Sequence, residues 1–232
     1  MSTKRSLAAL VAGAALVVTT AAALAQEDDD APKKGGHLAV SVSQVGPRAA
    51  VQQPLHIGSR LTWTGGKADF SYAWTSVGDT GLPSDVEGSS DALDIRANTL
   101  TPGTSYHFRL QVVARTEQGL EITASSDVKF KANEPPRGGS CKVTAKAMPS
   151  GMLQITLSAP GWTDPDGHPQ YRLALMRGTK VLAVQNWKPL DSFTTTLMPK
   201  QGDALFGRCG IRDELGDGTS RDTQPFGPGG TG

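Results

Sequence analysis

Three groups of side chains here have the residue types and spacing to do chemistry, and each points to a different kind. The first is Asp164-Pro165-Asp166-Gly167, with Asp213, Glu214, Asp217 and Asp222 further along. Hard carboxylate oxygens on loops are what extracellular β modules offer to weakly bound calcium, so Asp164 and Asp166 are the candidate metal ligands. The spacing fits no EF-hand, and the alternative is a turn whose aspartates accept from their own backbone amides. The second group is Trp162, beside a glycine and a polar turn, and Trp187, between Asn186 and Lys188. Either ring offers a stacking platform for a sugar or a peptide; the alternative is that it packs into a core. The third is Cys141 and Cys209, the only cysteines in the chain. In an exported protein an even number reads first as a disulfide, with two buried thiols as the alternative.

Catalysis finds no such footing, because nucleophile, base and orienting group must converge. His37 follows a glycine pair and His107 falls on the outward face of an alternating segment, with His56 and His168 completing the histidines. There is no Gly-x-Ser-x-Gly elbow, no His-Glu-x-x-His pair, no phosphate-cradling glycine loop and no Cys/His cluster. No catalytic residue and no cofactor other than weak calcium is assigned, and a hydrolase is the least favoured reading. Lys and Arg number 23 against 22 Asp and Glu, scattered singly, for a net charge of +1. That balance removes nucleic acid and anionic membrane surfaces as partners.

The elements that must position these groups begin behind an export signal. Lys4 and Arg5 precede an apolar stretch that ends in Ala23-Leu24-Ala25, so residues 1–25 are predicted to be a cleaved secretory signal. The alternative is an uncleaved anchor, since residues 7–25 are almost long enough to span a bilayer. No later stretch approaches that length, and the mature chain is not expected to insert in a membrane. Residues 26–36, with Glu27-Asp28-Asp29-Asp30, are too polar to repay ordering and read as a flexible acidic linker.

From His37 the apolar period becomes two. Leu38, Val40 and Val42 alternate with small or polar residues, as do Tyr106, Phe108, Leu110, Val112 and Ala114. Shorter apolar runs at 61–63, 70–74 and 93–95 lie between glycine- and proline-rich turns. A second series follows: Leu153, Ile155, Leu157; Tyr171, Leu173, Leu175; Phe193, Thr195, Leu197; and Leu205, Gly207, Cys209, Ile211. No segment carries a helical stripe. The fold class is all-β, two tandem antiparallel sandwiches of immunoglobulin or fibronectin type III kind, over 37–132 and 141–223, with a disordered tail from 224 to 232.

Leu100-Thr101-Pro102-Gly103-Thr104-Ser105-Tyr106-His107-Phe108 resembles the approach to the sixth strand of fibronectin type III domains. The resemblance implies that the Tyr106 hydroxyl bonds back to the preceding turn, and that Trp74 packs between the sheets. Asn133-Glu134-Pro135-Pro136-Arg137-Gly138-Gly139-Ser140-Cys141, followed by Gly161-Trp162, resembles the joint of the receptor-for-egg-jelly (REJ) module of polycystin-type and sperm receptor proteins. The likeness runs from about residue 61 to 219 and implies glycoprotein or matrix recognition. In that family a second cysteine stands just before the Gly-Trp pair, where this chain has Ser158-Ala159-Pro160. The family's short-range disulfide is thereby impossible. Cys209 shares inward parity with Leu205 and Ile211, and Cys141 with Val143, so a Cys141–Cys209 bond would tie the start of the second domain to its late strand.

The joint at 133–140 has its own physical sense. Two prolines without amide donors keep it out of either sheet's ladder and hold the domains semi-rigidly apart. The function that follows is exported, non-enzymatic recognition or adhesion, secreted or at a cell surface, or periplasmic if bacterial, with an extracellular protein or glycan as partner. The alternative is a structural spacer or accessory domain of an extracellular assembly.

Overall fold

The computed structural model describes residues 36–78, 80–81, 90–200, 202 and 204–227. The signal, nearly all of the acidic linker and the last residues of the tail lie outside the described residues. Within them every helix or strand is a strand, as the two-residue period requires.

In the N-terminal half these are β1 (Leu38–Val42), β2 (Arg48–Ala49), β3 (Leu55–Trp63), β4 (Ala68–Ser76), β5 (Ala92–Ile95), β6 (Ser105–Thr116) and β7 (Glu121–Ala132). They form a three-stranded sheet, β1-β3-β5, and a four-stranded sheet, β2-β7-β6-β4. Between the sheets lies one apolar cluster. β6 shows why: Tyr106, Phe108, Leu110, Val112 and Ala114 are all buried, while the residues between them are not. Trp74 is buried in the same cluster, and Thr101 N donates to the Tyr106 hydroxyl at 2.9 Å, so both aromatic expectations hold.

The C-terminal half contains β8 (Arg137–Gly138), β9 (Lys142–Ala147), β10 (Leu153–Ser158), β11 (Trp162–Thr163), β12 (Gln170–Arg177), β13 (Lys180–Lys188), β14 (Ser192–Leu197), β15 (Leu205–Arg212) and β16 (Gly218–Asp222). The sheet β14-β10-β9 faces the sheet β13-β12-β15-β16 across a second apolar cluster. Cys141 and Cys209 are joined, with a Cα–Cα distance of 5.7 Å. The bond ties the lead-in of β9 in one sheet to β15 in the other, as their shared inward parity predicts.

The joint stays out of the four sandwich sheets, and its residues 137–138 form a separate two-stranded ladder, β8 antiparallel with β11. Two expectations are corrected. The prolines do not hold the halves apart: Arg48, Val51, Gln52 and Gln53 bond directly to Asp166, Glu214, Leu215, Asp217 and Gly218. The tail also starts as structure. Phe226 exchanges two backbone hydrogen bonds with Leu205 and buries its ring in the second cluster, because an aromatic at the open end of β15 covers apolar surface that would otherwise face water.

Candidate functional site

Paired strands put directly opposed residues on one face, so the register of β13-β12-β15-β16 identifies which side chains share its outer surface. Val184, Ala174, Arg208 and Asp222 form one row across it, and Val181, Met176 and Phe206 a second. Arg172, Gly210 and Ser220 form a third, and Gln170, Arg212 and Gly218 a fourth. Tyr171, Leu173 and Leu175 point the other way, into the core.

Trp187 lies over this outer surface. A Cβ on Gly210 would come within 3.0 Å of the Trp187 ring, so glycine at that position leaves the indole room to cross β12 toward β15. The Arg212 guanidinium sits 4.4 Å from the ring centroid, close enough for a cation–π contact. Arg212 Nε and Nη2 both donate to Gln170 Oε1 at 3.2 Å, which holds the guanidinium over the ring. Nearby, Arg208 stands 5.6 Å from the Phe206 centroid and donates twice to Asp222, at 2.8 and 2.7 Å. The Arg208 guanidinium keeps the Asp222 carboxyl below its ordinary range, against the opposing effect of burial. Val181 is 42% exposed, Val184 36% and Leu190, just past β13, 58%. A half-buried indole, the exposed Val181 and Val184 and fixed guanidinium planes thus share one sheet face, with the composition of a contact surface.

Trp162 has the other environment. It is 7% exposed within the second cluster, and its indole N–H donates to the Ser140 carbonyl at 3.3 Å. It explains the second glycine of the joint: a Cβ on Gly139, whose φ is +57°, would collide with the Trp162 ring. Of the two tryptophans with similar sequence surroundings, one is interior and one lies on the surface.

Three of the four oxygens of Asp164 and Asp166 are engaged by protein donors, and Asp164 Oδ2 is buried without a hydrogen bond. Asp164 Oδ1 accepts from the Asp166 amide at 3.0 Å, the turn alternative. Asp166 Oδ1 meets Lys131 Nζ at 3.2 Å and Oδ2 accepts from the Glu134 amide at 2.9 Å. Burial pushes the Asp166 carboxyl upward, but the Glu134 amide and Lys131 ammonium outweigh it, leaving it below its ordinary range. Among the described residues no three His, Cys, Asp or Glu side chains are grouped to hold a metal. His107 and His56 are bonded to Asp127 and Asp94.

Arg172, Gly210 and Arg212 were not singled out by sequence reasoning. Their only local signal was outward parity in strands, which surface arginines share everywhere.

The profile of the REJ domain matches residues 49–187, more than half of the chain. The chain belongs to the REJ-domain family. No curated protein matches this REJ chain in sequence. Among solved structures it is similar to a Ca2+-stabilized adhesin that helps an Antarctic bacterium reach out and bind ice, at 13% identity and a TM-score of 0.51, covering 79% of this chain and 46% of that one. An I-band fragment of titin matches at 11% identity and a TM-score of 0.36, covering 82% of this chain and 63% of the fragment. Bovine butyrophilin matches at 13% identity and a TM-score of 0.30, covering 81% of this chain and 98% of that one. The REJ chain spans about half the length of the adhesin and less than two thirds of the titin fragment. At this identity the adhesin likeness shows the β-sandwich fold and nothing further. REJ domains are as a rule extracellular, adhesion-type modules, and this chain carries one. Among the described residues no helix is long and apolar enough to cross a membrane.

Proposed function

We propose that this chain is an exported, non-enzymatic adhesion module that binds a protein or glycan outside the cytoplasm through the outer face of the β13-β12-β15-β16 sheet. In this reading residues 1–25 are the export signal, and 37–132 and 141–223 are two sandwich domains joined at 133–140. The observation that carries it is Trp187, held over Gly210 by Arg212 at 4.4 Å, with exposed Val184 and Val181 in further rows of the same face. An indole fixed by neighbours gives large contact area at little entropic cost, and such residues dominate binding energy at interfaces.

The test is a screen of the mature chain on glycan and protein arrays, followed by Trp187→Ala and Trp162→Ala. Trp187→Ala should weaken capture by about thirtyfold, roughly 2 kcal/mol, with melting unchanged. Trp162→Ala should lower the melting temperature, because it opens a cavity in the core. Wild-type capture by Trp187→Ala would reject this face as the binding surface. The spacer reading is favoured by one observation, the direct bonding between the two halves, and it expects blank arrays.

A further inference from the structure

The acidic turn between β15 and β16 reaches out of its own half and into the other. Asp217 is 0% exposed, and its two oxygens accept from the amides of Val51 at 2.7 Å and Gln52 at 2.8 Å. Asn133, at the end of β7 and also fully buried, donates from Nδ2 to Asp213 Oδ2 at 2.5 Å and to Asp217 Oδ2 at 2.8 Å. The turn is closed on itself, with Asp213 Oδ1 accepting from the Asp217 amide at 3.0 Å. Around this centre Gln52 and Gly218 exchange two bonds, at 2.9 and 2.8 Å, and Gln53 Nε2 donates to the Leu215 carbonyl at 2.9 Å. Arg48 Nη1 donates to the Asp166 carbonyl at 2.6 Å.

We propose that the turn from Asp213 to Asp217 is a latch that locks the two halves together, and that it holds one proton in the Asp213–Asp217–Asn133 cluster whose uptake tightens it.

Two buried carboxylates that accept from the same amide nitrogen repel each other when both are ionised, and burial raises the cost of each charge. The cations of the junction do not answer them. Arg48 pairs with Glu214, and Lys131 with Glu134 and Asp166. Asp217 has both oxygens committed to amides of the opposite half, so it is the member that must stay ionised for the latch to hold. Asp213 is the member that can take the proton, since its Oδ2 accepts from Asn133 alone among the hydrogen bonds at that oxygen. The cluster also has a spare acceptor, because Asn133 Oδ1 is buried without a hydrogen bond. Burial pushes the Asp213 carboxyl above its ordinary range; the Asn133 amide opposes this and the Asp217 charge adds to it. A carboxyl raised on folding contributes stability as pH falls from neutral through its folded value, and that contribution is lost again as pH rises.

The experiment is amide hydrogen exchange on the full chain, corrected for the intrinsic rate, read at Val51 and Gln52 between neutral pH and about pH 5. In the wild type, protection of those two amides should rise as pH falls. In Asp213→Asn, which imitates the protonated side chain, the dependence should vanish with protection retained. In Asp217→Ala, protection at Val51 and Gln52 should drop by about tenfold or more, while core amides at Leu110 and Leu173 stay protected. Should Asp217→Ala fail to fold, the wild-type pH series and Asp213→Asn decide alone. Flat protection in the wild type, an unchanged slope in Asp213→Asn, or undiminished protection in a folded Asp217→Ala would each overturn the latch.

Discussion

Single side chains already separate packing from chemistry in this molecule. The Tyr106 hydroxyl is the partner of the Thr101 amide, at 2.9 Å. Tyr106→Phe should therefore cost about 1–3 kcal/mol in urea unfolding, because it leaves a donor unpaired while keeping the ring. Gly139→Ala is expected to cost about 2 kcal/mol or more, since a left-handed backbone and the Trp162 ring both reject a Cβ. Asp127 accepts two bonds from Arg109, at 2.7 and 2.9 Å, and pairs with His107 at 2.9 Å. The Arg109 bond, aided by His107 and opposed by burial, lowers its carboxyl to about 2. A carboxyl depressed on folding stabilises above its unfolded value, and the contribution disappears as pH falls toward the folded one. Asp127→Asn should accordingly flatten the acid limb of a stability–pH curve between about pH 4 and 2.

Among the elements, β15 carries most of what holds the C-terminal half. It pairs with β12 and β16, takes Phe226 at one end and bears Cys209 at its middle. The Cys141–Cys209 bond closes a loop with a sequence separation of 68. Replacing both cysteines with alanine should cost the C-terminal half about 4 kcal/mol in a chain-entropy account. The loss should appear in exchange at Leu173 and Leu175 and spare the N-terminal core. The strand β13 shows where periodicity failed. Its pairing with β12 shifts register between Tyr171 and Leu173 and again between Leu175 and Met176, so its apolar residues do not keep a two-residue rhythm. Trp187 was legible as a candidate residue, while the strand that aims it was not.

At the scale of the whole molecule, the decisive feature is the bonded junction. Two apolar clusters without a polar bridge would unfold independently, as weakly coupled units do. With Asp217 seated on Val51 and Gln52, calorimetry is expected to show one merged transition. Asp217→Ala should split it in two; two resolved transitions in the wild type would contradict strong coupling between the halves.

Local pattern determined the all-β class, because a two-residue period is a property of each short segment. Resemblance to fibronectin type III domains supplied the Tyr106 hydroxyl bond and the interior position of Trp74, and a single pair of cysteines in a chain read as exported supplied their pairing. Tertiary structure alone decided that Trp162 is interior and Trp187 lies on a sheet face, and that Asp217 meets amides more than a hundred residues away. Burial and partner choice depend on which distant segments cover a residue, and neighbouring positions in the chain carry no record of that.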